Sequence, residues 1–177
     1  MIGVLVSGEG SNLQALIDAG LPIRAVASNR AGVRALERAG RARIPHAVFP
    51  LDDYPAREAR DTAMADWLDS QGASLVVCAG YMHLLSGAFL ERFPGRIVNV
   101  HPSLLPAFPG TRAIEEARLA GVDRTGVTVH LVDEGVDTGP VLAQEEISVE
   151  PADTLEERIH AVEHRLLPRV VRELCER

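Results

Sequence analysis

The sequence predicts an α/β fold, a doubly wound and mainly parallel sheet with a Rossmann-like N-terminal half. Three observations predict it. Short β-branched runs alternate with stretches of helical period as far as Ala120, the way a chain of strand-helix-strand units reads. Two strand-like runs then follow one another with no helix between them. Finally, 177 residues at 46% hydrophobic content suit one globular domain, residues 1–177, with a sizeable core.

The elements follow in order. Ile2–Val6 reads as a strand, Ser11–Ala19 as a helix, Ile23–Ser28 as a strand and Val33–Ala39 as a helix. Ala47–Phe49, Leu75–Ala79 and Ile97–Val100 read as strands, separated by helices over Ala56–Gln71 and Gly87–Arg92, and Thr111–Ala120 closes the alternation. In Thr125–Val132 the residues Val127, Val129 and Leu131 alternate with Thr128 and His130, and Val141–Val149 gives the second late strand. A last helix starts near Thr154, with Leu155, Ile159, Val162, Leu166, Val170 and Leu174 along one face. Asp153 and Glu156 read as a capping pair at its start, and Pro168 is expected to kink it. Pro102–Gly110 is the main irregular segment, and long ordered loops in compact domains tend to be functional.

Composition excludes several function classes. Net charge is −7 and the basic residues do not cluster, which argues against a nucleic-acid partner. All 18 basic residues are arginine, so there is no Walker lysine and no Schiff-base lysine for pyridoxal chemistry. Apolar runs such as Leu75–Ala79 are too short to span a bilayer and the N-terminus has no basic leader, so a cytoplasmic protein without a membrane partner is expected. Cys78 and Cys175 give neither a disulfide framework nor metal-ligand spacing, and no metal is expected.

Ser7-Gly8-Glu9-Gly10-Ser11-Asn12 follows the first strand and opens the first helix. Glycines let a backbone approach an anion, and the helix start offers N–H groups to it, so Gly10, Ser11 and Asn12 suit a phosphate; a tight turn without ligand is the alternative. Leu13 replaces the third glycine of a dinucleotide fingerprint, and Ala27-Ser28-Asn29-Arg30 supplies no ribose-binding acid. A phosphorylated small molecule therefore fits better than a nicotinamide cofactor. Asn99 and His101, at a strand end, can both donate to an oxyanion forming on a carbonyl carbon, and Asp137 can hold the histidine charged or relay protons. Taken singly, His101 reads as a core or turn histidine and Asp137 as a turn-former. Ser103, framed by Pro102 and Pro106, reads as a turn residue and not a nucleophile. Direct acyl transfer without a covalent enzyme intermediate is the chemistry suggested.

Four segments carry a family resemblance: S-G-E-G-S-N-L-Q-A at Ser7–Ala15, G-Y-M-H-L-L-S at Gly80–Ser86, N-V-H-P-S-L-L-P-A-F-P-G at Asn99–Gly110 and D-E-G-V-D-T-G-P at Asp133–Pro140. Together they resemble the folate-dependent formyltransferases, and among these the phosphoribosylglycinamide formyltransferase family of purine synthesis. The resemblance covers nearly the whole chain. It implies the formyltransferase fold and transfer of a formyl group from 10-formyltetrahydrofolate, as co-substrate, to the amine of glycinamide ribonucleotide. By motif it implies Asn99, His101 and Asp137 as catalytic residues, and Gly10, Ser11 and Asn12 as the substrate's phosphate loop. Glu163 resembles the carboxylate that binds the glycinamide end, although its place on the helix alone reads as a solvated glutamate. For the folate, the resemblance implies Arg57, Met82, His83, Leu84, Leu85, Asn99, Asp133, Glu134, Gly135, Val136 and Asp137. His130 is implied as a supporting residue.

Two residues depart from the family pattern: His83 stands where arginine is frequent, and Glu9 sits inside the anion loop. A formyltransferase acting on methionyl-tRNA would call for a further domain and a basic surface, and a formyl-donor hydrolase for an N-terminal regulatory domain. A sugar-nucleotide formyltransferase and a catalytically silent binding module are the remaining alternatives. Partners are expected to be small molecules, with the chain a monomer or homodimer.

Overall fold

The computed structural model describes residues 1–176. The chain packs as two compact units, one over Met1–Val98 and one from Asn99 onward. The first unit holds β1 (Ile2–Val6), α1 (Ser11–Asp18), β2 (Ile23–Ser28), α2 (Arg34–Arg41), β3 (His46–Val48), α3 (Arg57–Ser70), β4 (Leu75–Cys78) and α4 (Gly87–Arg92). β5 (Ile97–His101) begins in it and ends in the second unit, which adds α5 (Ala113–Leu119), β6 (Arg124–Leu131), β7 (Val141–Ser148) and α6 (Leu155–Cys175). The strands form one seven-stranded sheet in the order β3-β2-β1-β4-β5-β6-β7. The mainly parallel α/β sheet read from the sequence is thus the one that forms.

In the first unit β1 pairs in parallel with both β2 and β4, and β2 with β3. The chain therefore moves outward from β1 and then returns to its other side, which makes the β1/β4 boundary a topological switch point. All of β1 and β4 is buried, as expected of strands covered on both faces. Leu13 and Leu16 of α1, Ala35, Leu36 and Ala39 of α2, and Met64, Ala65 and Leu68 of α3 supply buried apolar faces at helical spacing.

In the second unit β6 and β7 pair antiparallel, with Val127 opposite Glu145 and Val129 opposite Ala143. β6 is buried from Thr125 to His130, whereas β7 is an edge strand of alternating exposure. α6 packs on both, burying Leu155, Ile159, Val162, Leu166, Leu167, Val170 and Val171. At roughly 1.5–3 kcal/mol for each large aliphatic side chain, that face is the main hydrophobic stabilisation of the unit.

The structure departs from the sequence reading at several ends. The third strand starts at His46 instead of Ala47, and the fifth helix starts at Ala113 because Arg112 has non-helical backbone angles. Asp153 and Glu156 do not cap α6. Asp153 lies in a short 3-10 turn, Ala152–Thr154, and no side chain caps the helix start. The entry is held instead by Arg158, which donates to Thr154 Oγ1 (3.1 Å), Val149 O (2.9 Å) and Pro151 O (2.7 Å). Pro168 is buried within α6, and the helix continues through it to Cys175.

Gly10 is fixed by two constraints at once. Its φ is +73°, and a Cβ there would lie 2.6 Å from the Ala35 Cβ of α2. Gly72 has φ +81° but open space around it. Gly72→Ala is expected to cost about 1–2 kcal/mol, the left-handed backbone penalty, and Gly10→Ala at least ~2 kcal/mol more, because overpacking adds to it. Urea unfolding of both variants checks this; equal losses would mean that α2 yields freely.

Candidate active site

Each unit carries part of the polar machinery. In the first, the loop after β1 turns into α1 at Gly10, and no side chain caps that helix. Its first-turn amides are thus arranged around an uncapped, dipole-positive end. α2 clamps the loop from the side, with Ala35 N–H donating to Gly8 O (3.0 Å) and Arg38 Nε to Glu9 O (2.8 Å). The Glu9 carboxylate is exposed and pairs with Arg34 at 3.3 Å. The acid inside the anion loop thus points outward and pairs with α2. Asn12 is buried and Ser11 half-buried.

The segment after β4 lies at the same end of the first unit's sheet. Ser7 Oγ donates to Asn29 Oδ1 (2.6 Å) and accepts from Met82 N–H (2.9 Å), so one hydroxyl ties the ends of β1, β2 and β4 together. Met82 and Leu84 are 62% and 51% exposed, an uncovered apolar surface on an otherwise polar rim. Arg57, at the first position of α3, is exposed and lies 3.9 Å from Glu58.

In the second unit the Asp137 carboxylate gathers four donors. Oδ2 accepts from Gly110 N–H (2.8 Å) and faces His101 Nδ1 at 3.3 Å. Oδ1 accepts from Asn99 Nδ2 at 3.4 Å and lies 3.5 Å from His130 Nε2. Burial pushes the Asp137 carboxyl up, but hydrogen bonds from His130 and Gly110 and the charges of the two histidines outweigh it, and the net effect is below the ordinary carboxylate value. His101 Nε2 donates to Phe108 O at 2.7 Å, so both ring nitrogens face acceptor oxygens, and a ring that donates to both is the imidazolium. His130 Nδ1 donates to Leu131 O (2.8 Å), and its Nε2 faces both Asn99 Nδ2 (3.2 Å) and Asp137 Oδ1 (3.5 Å). Asn99 Nδ2 donates to Asp137 Oδ1, and an oxyanion would compete for its protons.

Sequence reasoning placed Asn99, His101 and Asp137 together, and they meet. Asp137 does so in a left-handed backbone conformation, φ +54°, that a non-glycine residue pays for. Asp133 organises the turn leading to it. It accepts from Gly135 N–H (3.0 Å) and Thr138 Oγ1 (2.6 Å), and the Thr138 hydroxyl leads the contacts that hold its carboxyl below the usual range. Glu134 and Gly135 are exposed, as is Val136 at 45%. Glu163 is only 6% exposed, not the solvated glutamate its helix position suggests. Ser103 is fully buried and donates to Ala107 O, which makes it a loop anchor as expected of a turn residue.

Other contributors escaped the sequence. The Phe108 carbonyl and Gly110 amide act through the backbone, which carries no side-chain signal. Thr128 Oγ1 donates to Ser103 O (2.7 Å) and accepts from Leu105 N–H (3.1 Å), while Gln144 Nε2 donates to Leu105 O (2.9 Å). These two residues hold the loop that supplies the Phe108 carbonyl. The only signal was that Thr128 shares a strand face with His130. Among the described residues no group of three or more His, Cys, Asp or Glu could hold a metal ion, and no helix is long and apolar enough to cross a membrane.

Residues 1–171 match the formyl transferase family. The chain belongs to that family. This formyltransferase is 47% identical over 182 residues to the phosphoribosylglycinamide formyltransferase of Mycobacterium tuberculosis, covering 97% of this chain and 83% of that protein. It is 45% identical over 181 residues to the trifunctional purine biosynthetic protein adenosine-3 of Drosophila pseudoobscura pseudoobscura, a match over 96% of this chain that spans only 13% of the longer protein. Among solved structures, glycinamide ribonucleotide transformylase 1 from Symbiobacterium toebii matches with a TM-score of 0.95 and 46% identity, over 99% of this chain and 87% of that one.

The depressed Asp137 carboxyl has a consequence for stability. The folded chain favours the carboxylate, so the stabilisation it brings is present above the ordinary value of 3.8 and is lost as pH falls through the lower folded value. Asp137→Asn has no such group. The stability gap between the unaltered protein and Asp137→Asn should therefore be constant near neutrality and close in acid, as read by urea unfolding at a series of pH values. A gap that widens in acid would contradict the assignment.

Proposed function

We propose that this formyltransferase moves the formyl group of 10-formyltetrahydrofolate onto the amine of 5'-phosphoribosylglycinamide, a cytoplasmic step of purine synthesis. The meeting of Asn99, His101 and Asp137 at hydrogen-bonding distances carries the reading. The names of relatives that match it over most of their length support the choice of acceptor and pathway.

In this reading the acceptor amine attacks the formyl carbon directly. The carbonyl oxygen becomes an oxyanion, and Asn99 Nδ2 with the His101 ring donates to it, the histidine giving up one of its two present hydrogen bonds as it does so. The attacking nitrogen gains positive charge and releases a proton toward the Asp137 carboxylate, directly or through water. Collapse re-forms the carbonyl and breaks the bond to N10 of the folate, which receives a proton. One hydrogen thus moves from the amine to N10, and nothing is oxidised or reduced.

The uncapped start of α1, with Gly10, Ser11 and Asn12, would hold the substrate phosphate, and the buried Glu163 would meet its glycinamide end. Arg57, Met82–Leu85 and Asp133–Asp137, with Asn99, would take the donor. Flat heteroaromatic rings suit apolar walls with backbone hydrogen bonds, and the exposed Met82, Leu84 and Val136 are side chains such a ring would cover. Both units would serve one formyltransferase domain.

The test is a spectroscopic assay of formyl-donor consumption with and without the ribonucleotide. Loss that requires the acceptor and yields its formylated product supports the reading; loss without acceptor indicates a hydrolase, and no loss removes this donor-acceptor pair. In the same assay Asp137→Asn should lower kcat by about 100-fold or more while the ribonucleotide Kd changes by less than about threefold. Asn12→Ala should raise the ribonucleotide KM about tenfold with little change in kcat; an unchanged KM would place the phosphate elsewhere.

A further inference from the structure

Arg60 of α3 is completely buried, an unusual setting for a guanidinium. Its Nε donates to Asp61 Oδ1 at 2.7 Å, and its Nη1 lies 3.2 Å from Nδ1 of His83. Nη2 is buried with no hydrogen-bond partner among the described residues. Asp61, also fully buried, uses its other oxygen to accept from Ser86 N–H at 2.7 Å. Two adjacent side chains of one helix thus hold the 81–86 segment at two points, the middle and the end. That segment has no regular secondary structure of its own. A buried ion pair seldom adds stability over an apolar replacement, so its retention calls for a role beyond stability.

A guanidinium can only donate, so the ring nitrogen facing it must be an acceptor. Nδ1 of His83 is therefore bare, and the proton of the neutral ring sits on Nε2. We propose that Arg60 is a positioning residue for the formyl-donor site, holding His83 as the neutral Nε2–H tautomer so that the segment offers an uncharged N–H donor beside the exposed Met82 and Leu84. This rests on the reading of Met82–Leu85 as a wall of that site. Burial and the Arg60 charge both push the His83 ring below its ordinary value, with Asp61 opposing. A further neighbour is Tyr81, whose ring lies 6.0 Å from His83 and whose hydroxyl burial keeps protonated. A neutral His83 keeps the donor-facing surface unchanged across the pH range in which a free histidine would charge.

Two measurements test this. The first uses the unaltered protein: nitrogen-15 NMR of the histidine rings, with His83 assigned by its absence in His83→Asn. Nδ1 should be the bare nitrogen, and the ring should gain its second proton only at lower pH than an ordinary histidine does. An Nδ1–H tautomer, or protonation at the ordinary value, overturns the proposal.

The second is the pH dependence of KM for 10-formyltetrahydrofolate. It compares the unaltered enzyme with the Arg60→Met, Asp61→Asn double variant, which removes both charges and keeps an acceptor for Ser86. The unaltered KM should stay flat. In the double variant it should rise about tenfold from pH 8 to pH 6 while kcat changes less than about threefold, and adding His83→Asn should abolish the pH dependence. A purely structural role for Arg60 gives no such titrating phase. A variant that does not fold leaves the decision to the NMR result. The expected tautomer with a flat KM in the folded variant overturns the donor-site role alone. Failure of formyl transfer itself would show in the unaltered enzyme's acceptor-dependent assay.

Discussion

One carboxylate organises the polar cluster of the second unit. Asp137 receives the Gly110 amide and faces Asn99, His101 and His130, so a single side chain fixes three others and the end of the loop that follows β5. The arrangement costs energy at two places. Asp137 adopts a left-handed backbone, and its charge is partly withdrawn from water. The converging groups compensate by holding the carboxyl ionised, so strain and desolvation are balanced within one interaction.

The loop from Pro102 to Gly110 shows how far the supporting structure reaches. His101 is aimed by the Phe108 carbonyl, and that carbonyl depends on how the loop is tied to β6 and β7 by Ser103, Thr128 and Gln144. Edge strand β7 therefore matters beyond closing the sheet, because Gln144 reaches both Leu105 O and Thr128 Oγ1. In the first unit the analogous part is played by Ser7, which joins three strand ends, and by the buried Arg60 and Asp61 beneath the 81–86 segment. Both units thus use a few buried polar side chains to hold irregular segments, where packing alone would leave the backbone groups unpaired.

Much of this was legible in the sequence. The alternation of β-branched runs and helical periods matches the strands and α-helices of the described residues to within a few positions, and the motifs single out Asn99, His101 and Asp137, which meet in the structure. Local chemistry was enough there, since glycine spacing and strand-end polar residues are themselves the signal. What could not be read was tertiary. Arg60 and Asp61 lie on a helix whose periodicity says nothing about a buried ion pair, and Glu163 reads as solvated until α6 is docked. The start of α6 differs from its sequence expectation for a similar reason: Asp153 has the chemistry of a cap, but Arg158 reaches the carbonyls of β7 and its following turn and holds the helix entry instead. Backbone partners such as Phe108 O and Gly110 N–H leave no trace in residue type.

Asp137 is the acceptor that orders these groups. Hydrogen exchange of the Gly110 amide, followed by NMR in the unaltered protein and in Asp137→Ala, tests it most directly. The amide should be protected in the first and exchange at least about tenfold faster in the second, since its acceptor is gone and the loop end is released. Equal exchange in both would mean that the loop is ordered without the carboxylate, and Asp137 would lose its central place.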